Sequence, residues 1–233
     1  LGFEGAHGMN TGTVARRSSS SWRLTTTGIQ GHSSQIFKDE LGYGAIFEAA
    51  RIVNAFREEL LGEEYLSFNP GTIVGGTDIA YDPVTARGTT FGKTNVVSQA
   101  ATVHGGIRTI STEQLDRAMA SMKDIVSQNL PGTTARIRFR TSYPPMAPTK
   151  ANYALLDELE SVNMDLGYGE LEPLDPGKRG AADISFVAPH VDASLAGMGP
   201  DGFGEHSEKE GLDLTSFPRT TTRAAILIHR LTR

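Results

Sequence analysis

Between Trp22 and Arg140 the chain changes its hydrophobic period in a fixed order, and that order restricts the fold more than any other feature. Trp-Arg-Leu-Thr-Thr-Thr, residues 22–27, alternates like a strand. From Asp39 to Leu61 the apolar residues Leu41, Ala45, Ala49, Ile52, Val53, Phe56 and Leu60 recur at steps of three and four, the spacing of one helix face. Two strand-like runs follow, Gly71 to Tyr81 and Thr94 to Thr109, with Asp82-Pro83 and Arg87-Gly88 marking a turn region between them. Ser111 and Gln114 stand three apart, as in a capping box, ahead of a helix burying Leu115, Met119, Met122, Val126 and Leu130. Ala135, Ile137 and Phe139 then alternate with Thr134, Arg136, Arg138 and Arg140. Strand, helix, strand, strand, helix, strand is the split βαβ, ferredoxin-like plan, with two helices on one sheet face and the other face more open.

The flanks have a different texture. After Arg16-Arg17 the serine run Ser18 to Ser21 reads as a linker or turn, and Tyr143-Pro144-Pro145-Met146-Ala147-Pro148-Thr149 as a proline-rich connector. Beyond the connector, Asn152 to Leu166 reads as a helix and Ala182 to Val187 as a short buried strand. A glycine-rich loop spans Gly197 to Gly204, and a last helix covers about Thr221 to Leu231. The expected organisation is a segment at 1–20, an inserted domain at 21–141 and a closing segment at 142–233.

Composition narrows the chemistry. Cysteine is absent, so disulfides and thiolate zinc sites are excluded, and a metal must be held by His, Asp or Glu. A net charge of −5 gives no reason to expect a nucleic-acid partner. No apolar run approaches the roughly 20 residues of a membrane span. A cysteine-free chain suits cytoplasm and periplasm alike. The opening Leu1-Gly2-Phe3-Glu4-Gly5 carries no initiator Met and reads like the middle of a domain.

Two places set an acid or a His among glycines: Glu4 in Phe3-Glu4-Gly5-Ala6, and His206 in Gly204-Glu205-His206-Ser207. Oxygen and imidazole donors suit zinc. Each equally fits a solvated loop with a capping acid.

Taken together, the short motifs resemble the M20 metallopeptidases of the glutamate carboxypeptidase kind. Gly28-Ile29-Gln30-Gly31-His32-Ser33-Ser34 and Gly92-Lys93-Thr94-Asn95-Val96 resemble that family's two lid motifs, and Gly106-Ile107-Arg108-Thr109 its acid-x-Arg strand. Tyr143-Pro144-Pro145-Met146 resembles the return to the catalytic domain. Gly180-Ala181-Ala182-Asp183 resembles the substrate loop, and Gly204-Glu205-His206-Ser207 the final zinc motif. The resemblance implies a ferredoxin-like lid, or dimerisation, domain inserted in the C-terminal part of an α/β zinc-peptidase catalytic domain. It implies a homodimer joined through the lid, and two zinc ions per complete active site.

The resemblance also assigns roles. Glu4 and His206 match metal ligands, and His32 a lid His that steadies the oxyanion in the partner's site. Asn95, Arg108 and the backbone at Gly180 match substrate contacts. The implied reaction is zinc-dependent carboxypeptidase hydrolysis beside a C-terminal, glutamate-like residue of a small peptide or N-acyl amino acid. An aminoacylase, amidohydrolase or di/tripeptidase on the same scaffold is the sibling reading, and a non-catalytic dimerising module the third. Three positions depart from the pattern: Gly31 and Glu205 stand where alanines are usual, and Gly106 where an acid is. Because the family's remaining ligands and general base would precede residue 1, these residues taken alone are expected to be inactive.

Overall fold

The computed structural model describes residues 1–233. In chain order the strands are β1 (Thr11–Gly12), β2 (Ser19–Gly28), β3 (Ser67–Gly76), β4 (Asp78–Asp82), β5 (Arg87–Phe91), β6 (Ala100–Arg108), β7 (Thr133–Tyr143), β8 (Glu172–Pro173), β9 (Gly202–Phe203) and β10 (Gly211–Leu212). The helices are α1 (Ala45–Leu60), α2 (Thr112–Ser127), α3 (Lys150–Asp165), α4 (Ile184–Val187) and α5 (Ser216–Leu231). Two compact units result. One comprises Ser20–Arg108 with Glu113–Ser142; the other comprises Leu1–Ser19, Thr109–Thr112 and Tyr143–Arg233.

The first unit is the ferredoxin-like plan. Its four-stranded sheet has the order β3-β6-β2-β7, and β6 runs antiparallel to both β2 and β3. Alternation along β2 buries Trp22 and Leu24; in β6 it buries Val103 and Ile107. Against them α1 sets Ala45, Ala49, Ile52 and Phe56, while α2 sets Leu115, Ala118 and Met122. Trp22 meets Phe56 edge to face, ring centroids 5.7 Å apart.

Glu48 stands in the first turn of α1, fully buried. Its carboxylate accepts from Arg51 Nη2 at 2.8 Å and Nε at 3.2 Å, from Leu130 N at 3.1 Å and from Asn129 Nδ2 at 3.3 Å. A buried carboxylate is tolerated when its lone pairs are filled in this way, and here it ties α1 to the segment after α2.

Three sequence expectations for this unit change. The helix expected from Asp39 begins at Ala45, because Gly42 and Gly44 take left-handed φ values of 67° and 79°. Its first amides are satisfied by tertiary contact instead: Ala45 N donates to Ser98 O at 2.9 Å and Ile46 N to Ser98 Oγ at 3.0 Å. The run Gly71 to Tyr81 is not one strand. It breaks at Thr77, after which β4 pairs with β5 as a hairpin of its own. The strand expected from Thr94 starts at Ala100, the preceding residues being used in loop contacts.

The hairpin reaches the sheet face opposite the helices. Val103 is in the core, so the next residue, His104, points the other way, and the ring of Tyr81 stacks on it at 3.9 Å. Burial, aided by Arg23, draws the His104 imidazole below its ordinary value.

In the second unit α3 and α5 close over the segments 11–16 and 195–198. Val14, Leu156, Leu159, Leu195, Met198 and Leu227 form the dry centre. Asn152, 3% exposed, fastens α3 beneath: Nδ2 donates to Val14 O at 2.9 Å and Ala147 O at 3.0 Å, and Oδ1 accepts from Ser194 N at 2.8 Å. The strand expected at Ala182 to Val187 is instead the one-turn helix α4, which exposes Phe186 and Val187. Helix α5 begins at Ser216, five residues ahead of its expected start. No helix is long and apolar enough to cross a membrane.

Two outcomes follow. Glu48→Ala leaves Arg51 and the Leu130 amide without their acceptor, and is expected to lower unfolding free energy by roughly 3 kcal/mol or more in urea titrations. The folded-state pKa of His104 lies below the unfolded one, so its neutral form is the one folding favours. Stability from this group is complete above the ordinary histidine pKa and falls as pH drops through it. Wild-type protein should therefore lose more melting temperature between pH 7.5 and 5.5 than His104→Phe does.

Candidate functional site

In the sheet unit the two loops that carry His32 and Asn95 are joined. Past the ends of β2 and β6 the antiparallel pairing continues: Gly28 N donates to Gln99 O at 2.9 Å, Val97 N to Gly31 O at 2.9 Å, and Ser33 N to Asn95 O at 2.9 Å. His32 and Val96 face each other as an isolated antiparallel bridge. Both His32 and Asn95 are exposed. The two loops thus meet on one rim of the unit although 62 residues lie between His32 and Asn95 in sequence; the bridge pairs His32 with Val96, so Asn95 stands one residue off it, and neither residue lies in a regular strand.

His32 caps the short 3-10 turn Ser33–Gln35. Its Nδ1 accepts from Ser34 N at 3.2 Å and lies 2.8 Å from Ser34 Oγ. Capping uses Nδ1 and orients the ring, and no group in the chain bonds Nε2. An imidazole held by one nitrogen with the other free is the arrangement that oxyanion stabilisation needs.

Arg108 is not part of that rim. It is exposed at the far end of β6, opposite Ser67, about 25 Å along the strand from Ala100. Gly106, where the motif would have an acid, pairs with Ser21 and Asn69.

The other unit holds Glu4, Gly180 and His206. Residues Gly2 to Ala6 run beside Leu195 to Asp201. Gly2 N donates to Leu195 O at 2.7 Å, Gly199 N to Glu4 O at 2.9 Å and Ala6 N to Pro200 O at 3.0 Å. A Cβ at Gly199 would lie 2.7 Å from Phe3 O, so the close approach requires glycine.

The Glu4 carboxylate is engaged twice. Arg16 Nη2 donates to Oε2, and Asp183 N donates to Oε1 at 3.1 Å. Arg16 is 3% exposed. Burial draws its guanidinium below the ordinary value, Arg179 adds repulsion, and Glu4 pulls the other way. Asp183, at the end of the stretch that resembles the substrate loop, is exposed. Its charge and hydrogen bond push the Tyr143 phenol above the ordinary tyrosine value, with burial and Glu4 adding to the effect. Gly180 is exposed in the loop between Arg179, whose Nη2 donates to Gly5 O at 2.9 Å, and α4. This ring of Glu4, Arg16, Arg179, Asp183 and Tyr143 was not legible as a site. Arg16-Arg17 carries no site signal in sequence, and only burial shows that Arg16 turns inward.

His206 occupies the exposed turn between β9 and β10, with a left-handed φ of 62°. Its backbone N donates to Glu210 Oε2 at 3.2 Å. No three His, Asp or Glu side chains of the chain are grouped to hold a metal ion, and the Glu4 carboxylate is bound to a guanidinium. The donors present do not by themselves fit the zinc pair that the sequence motifs imply, since each zinc needs about three protein ligands.

Comparison with known proteins follows the same lines. Residues 14–134 match the peptidase dimerisation domain of the M20 family. Over 136 residues the chain is 26% identical to carboxypeptidase G2 of Pseudomonas sp. (strain RS-16), covering 58% of this chain and 32% of that protein. Aminopeptidase PepT of Bacillus cereus has a similar fold, with a TM-score of 0.75, 15% identity, and 99% of this chain against 56% of that one. A tripeptidase of Staphylococcus aureus gives 0.71 at 18% identity, covering 97% of this chain and 55% of that one. The dinuclear metal-binding M20 peptidase YxeP of Bacillus subtilis gives 0.62 at 16%, covering 94% and 51%. The chain therefore spans about half the length of these solved relatives and a third of the curated one. It belongs to the M20 peptidase family, whose dimerisation domain it carries.

Proposed function

We propose that this chain is the lid-bearing part of an M20 amide hydrolase that works as a homodimer. The sheet unit is the lid, and the second unit is a section of the catalytic domain. The observation that supports this reading best is the junction of the His32 and Asn95 loops. It brings the oriented His32 imidazole and the exposed Asn95 onto joined loops of one rim, as donors to a substrate held by another subunit.

His32 is assigned to the oxyanion: with Nδ1 fixed by the Ser34 amide, Nε2 can donate to the developing negative charge at an attacked carbonyl. Asn95 is assigned to orienting the substrate. Zinc is the metal the motifs imply, with Glu4 and His206 as the ligands this chain would contribute to it. Gly180 supplies backbone contact to the substrate.

The finer reading is a carboxypeptidase acting beside an acidic C-terminal residue, with Arg108 as the carboxylate clamp. One observation favours the sibling reading, an aminoacylase, amidohydrolase or di/tripeptidase. Gly106 stands where the acid-x-Arg motif has its acid, so Arg108 lacks the carboxylate neighbour that would orient it as a clamp.

Dimerisation is assigned to the lid. Strand β3 is a sheet edge, and beside it lies a groove of about 560 Å³ lined by α1 and β3, including Val53, Leu60, Leu61, Phe68 and Ile73. Ile73 and Leu61 are 59% and 71% exposed. An open edge next to an apolar groove is a surface that a second copy can cover.

Light scattering should give about 50 kDa for a chain of 25.0 kDa, and Ile73→Asp should shift it to monomer. A wild-type protein that stays monomeric at high micromolar concentration overturns the lid assignment. In the protein as it occurs in the cell, His206→Ala should lower chelator-sensitive hydrolysis by 100-fold or more, and His32→Ala by a comparable factor through kcat. Unchanged rates on a panel of N-acyl-glutamates, N-acyl amino acids, dipeptides and tripeptides would end the assignment. The preferred member of the panel separates the two readings.

A further inference from the structure

The sheet face of the lid unit opposite the helices carries an arrangement the peptidase reading does not use. Arg23 on β2 faces His104 on β6 in register. Thr27 Oγ1 lies 2.6 Å from Thr134 Oγ1, and Thr25 Oγ1 donates to Arg136 O at 3.4 Å, which sets β7 beside β2. Continuing that antiparallel alignment brings Arg138 next to Arg23, with Arg140 one alternation further along. Together they line a depression of about 380 Å³, with Pro83 of the hairpin at its rim.

The charges here have no counterpart within the chain. None of Arg23, Arg138 and Arg140 forms an ion pair, although the protein carries 27 acidic residues against 22 basic ones. Of the hairpin's two acids neither forms an ion pair, and Asp82, the one beside Pro83, is committed to its own turn, accepting from Val84 N at 2.9 Å and Thr85 Oγ1 at 2.7 Å. A second feature points the same way. His104 Nε2 is buried with no hydrogen-bond partner, while Tyr81 covers the ring. A buried polar atom left unpaired costs free energy, and a bound oxygen would relieve it.

Guanidinium forks match phosphate oxygens two at a time. Neighbouring strands stand about 4.8 Å apart and alternate residues about 6.8 Å apart along a strand, so the three forks can close on one small multiply charged group. The volume is of small-ligand size. A nucleic acid is disfavoured by the net charge of −5.

We propose that this depression is an anion site for a small phosphate-bearing molecule, gripped by Arg23, Arg138 and Arg140 and completed by a hydrogen bond to His104 Nε2. The site lies in the lid unit and is independent of the hydrolase reading.

Calorimetry on the 233-residue chain, at matched ionic strength in chloride, tests it with inorganic phosphate, pyrophosphate and ATP. Saturable one-to-one binding of pyrophosphate is expected, weakened at least tenfold by Arg138→Gln and by Arg23→Gln. Arg57→Gln, on the exposed side of α1, should bind as wild type. His104→Phe keeps an aromatic ring under Tyr81 but removes Nε2, and should also weaken binding. Tighter binding of ATP than pyrophosphate identifies a nucleotide as the source, and the reverse identifies the free anion. Circular dichroism confirms that each variant is folded. No saturable heat with any of the three probes overturns the proposal. So does wild-type affinity in both folded arginine variants, or tighter binding of a single-stranded DNA oligomer than of pyrophosphate.

Discussion

The antiparallel pairing of β2 with β6 does not stop where the strands stop. Beyond Gly28 and Ala100 the same two segments go on exchanging hydrogen bonds through Gln99, Val97, Gly31, Asn95 and Ser33. Ser98, in the middle of that extension, also satisfies the first amides of α1. One continuous ladder therefore sets the register of the central strands, the starting point of the helix and the meeting of the two loops. A one-residue slip in it would turn Trp22, Leu24 and Val103 out of the core, which is why the register is strongly held.

The division of the sheet into a dry face and a wet one follows from the same alternation. The helices take the face of Trp22 and Val103, and the residues between them, Arg23 and His104, are left on the other side. The Tyr81 hairpin covers part of that face without supplying a countercharge. The sheet unit thus has separate surfaces of different chemistry: an apolar groove at the β3 edge, a polar rim at the loop junction and a basic hollow on the open face.

In the second unit electrostatics is organised around a buried arginine. Arg16 stays charged out of water because Glu4 accompanies it, and Glu4 in turn orders the Asp183 amide. This bears on the metal chemistry the motifs imply. The carboxylate that the motifs imply as a metal ligand is, in this chain, paired with a guanidinium. Ligation by Glu4 would entail exchange of that guanidinium for a metal, a coupling that the linear motif does not contain.

What the sequence determined by itself was the order of elements in the lid, the alternation that selects the buried sheet face and the resemblance of its short motifs to one family. These depend on local period and on spacing along the chain. Element boundaries near Gly42, Thr77 and Ala182 escaped it, because left-handed glycines, a second small sheet and an amide held by Glu4 are settled by neighbours distant in sequence. Only the tertiary structure decided which candidate residues share a place. The His32 and Asn95 loops meet because a ladder runs on between them, whereas Arg108 is carried a full strand length away. Arg16 turns inward because burial next to Glu4 compensates its charge, an energy that no linear pattern records.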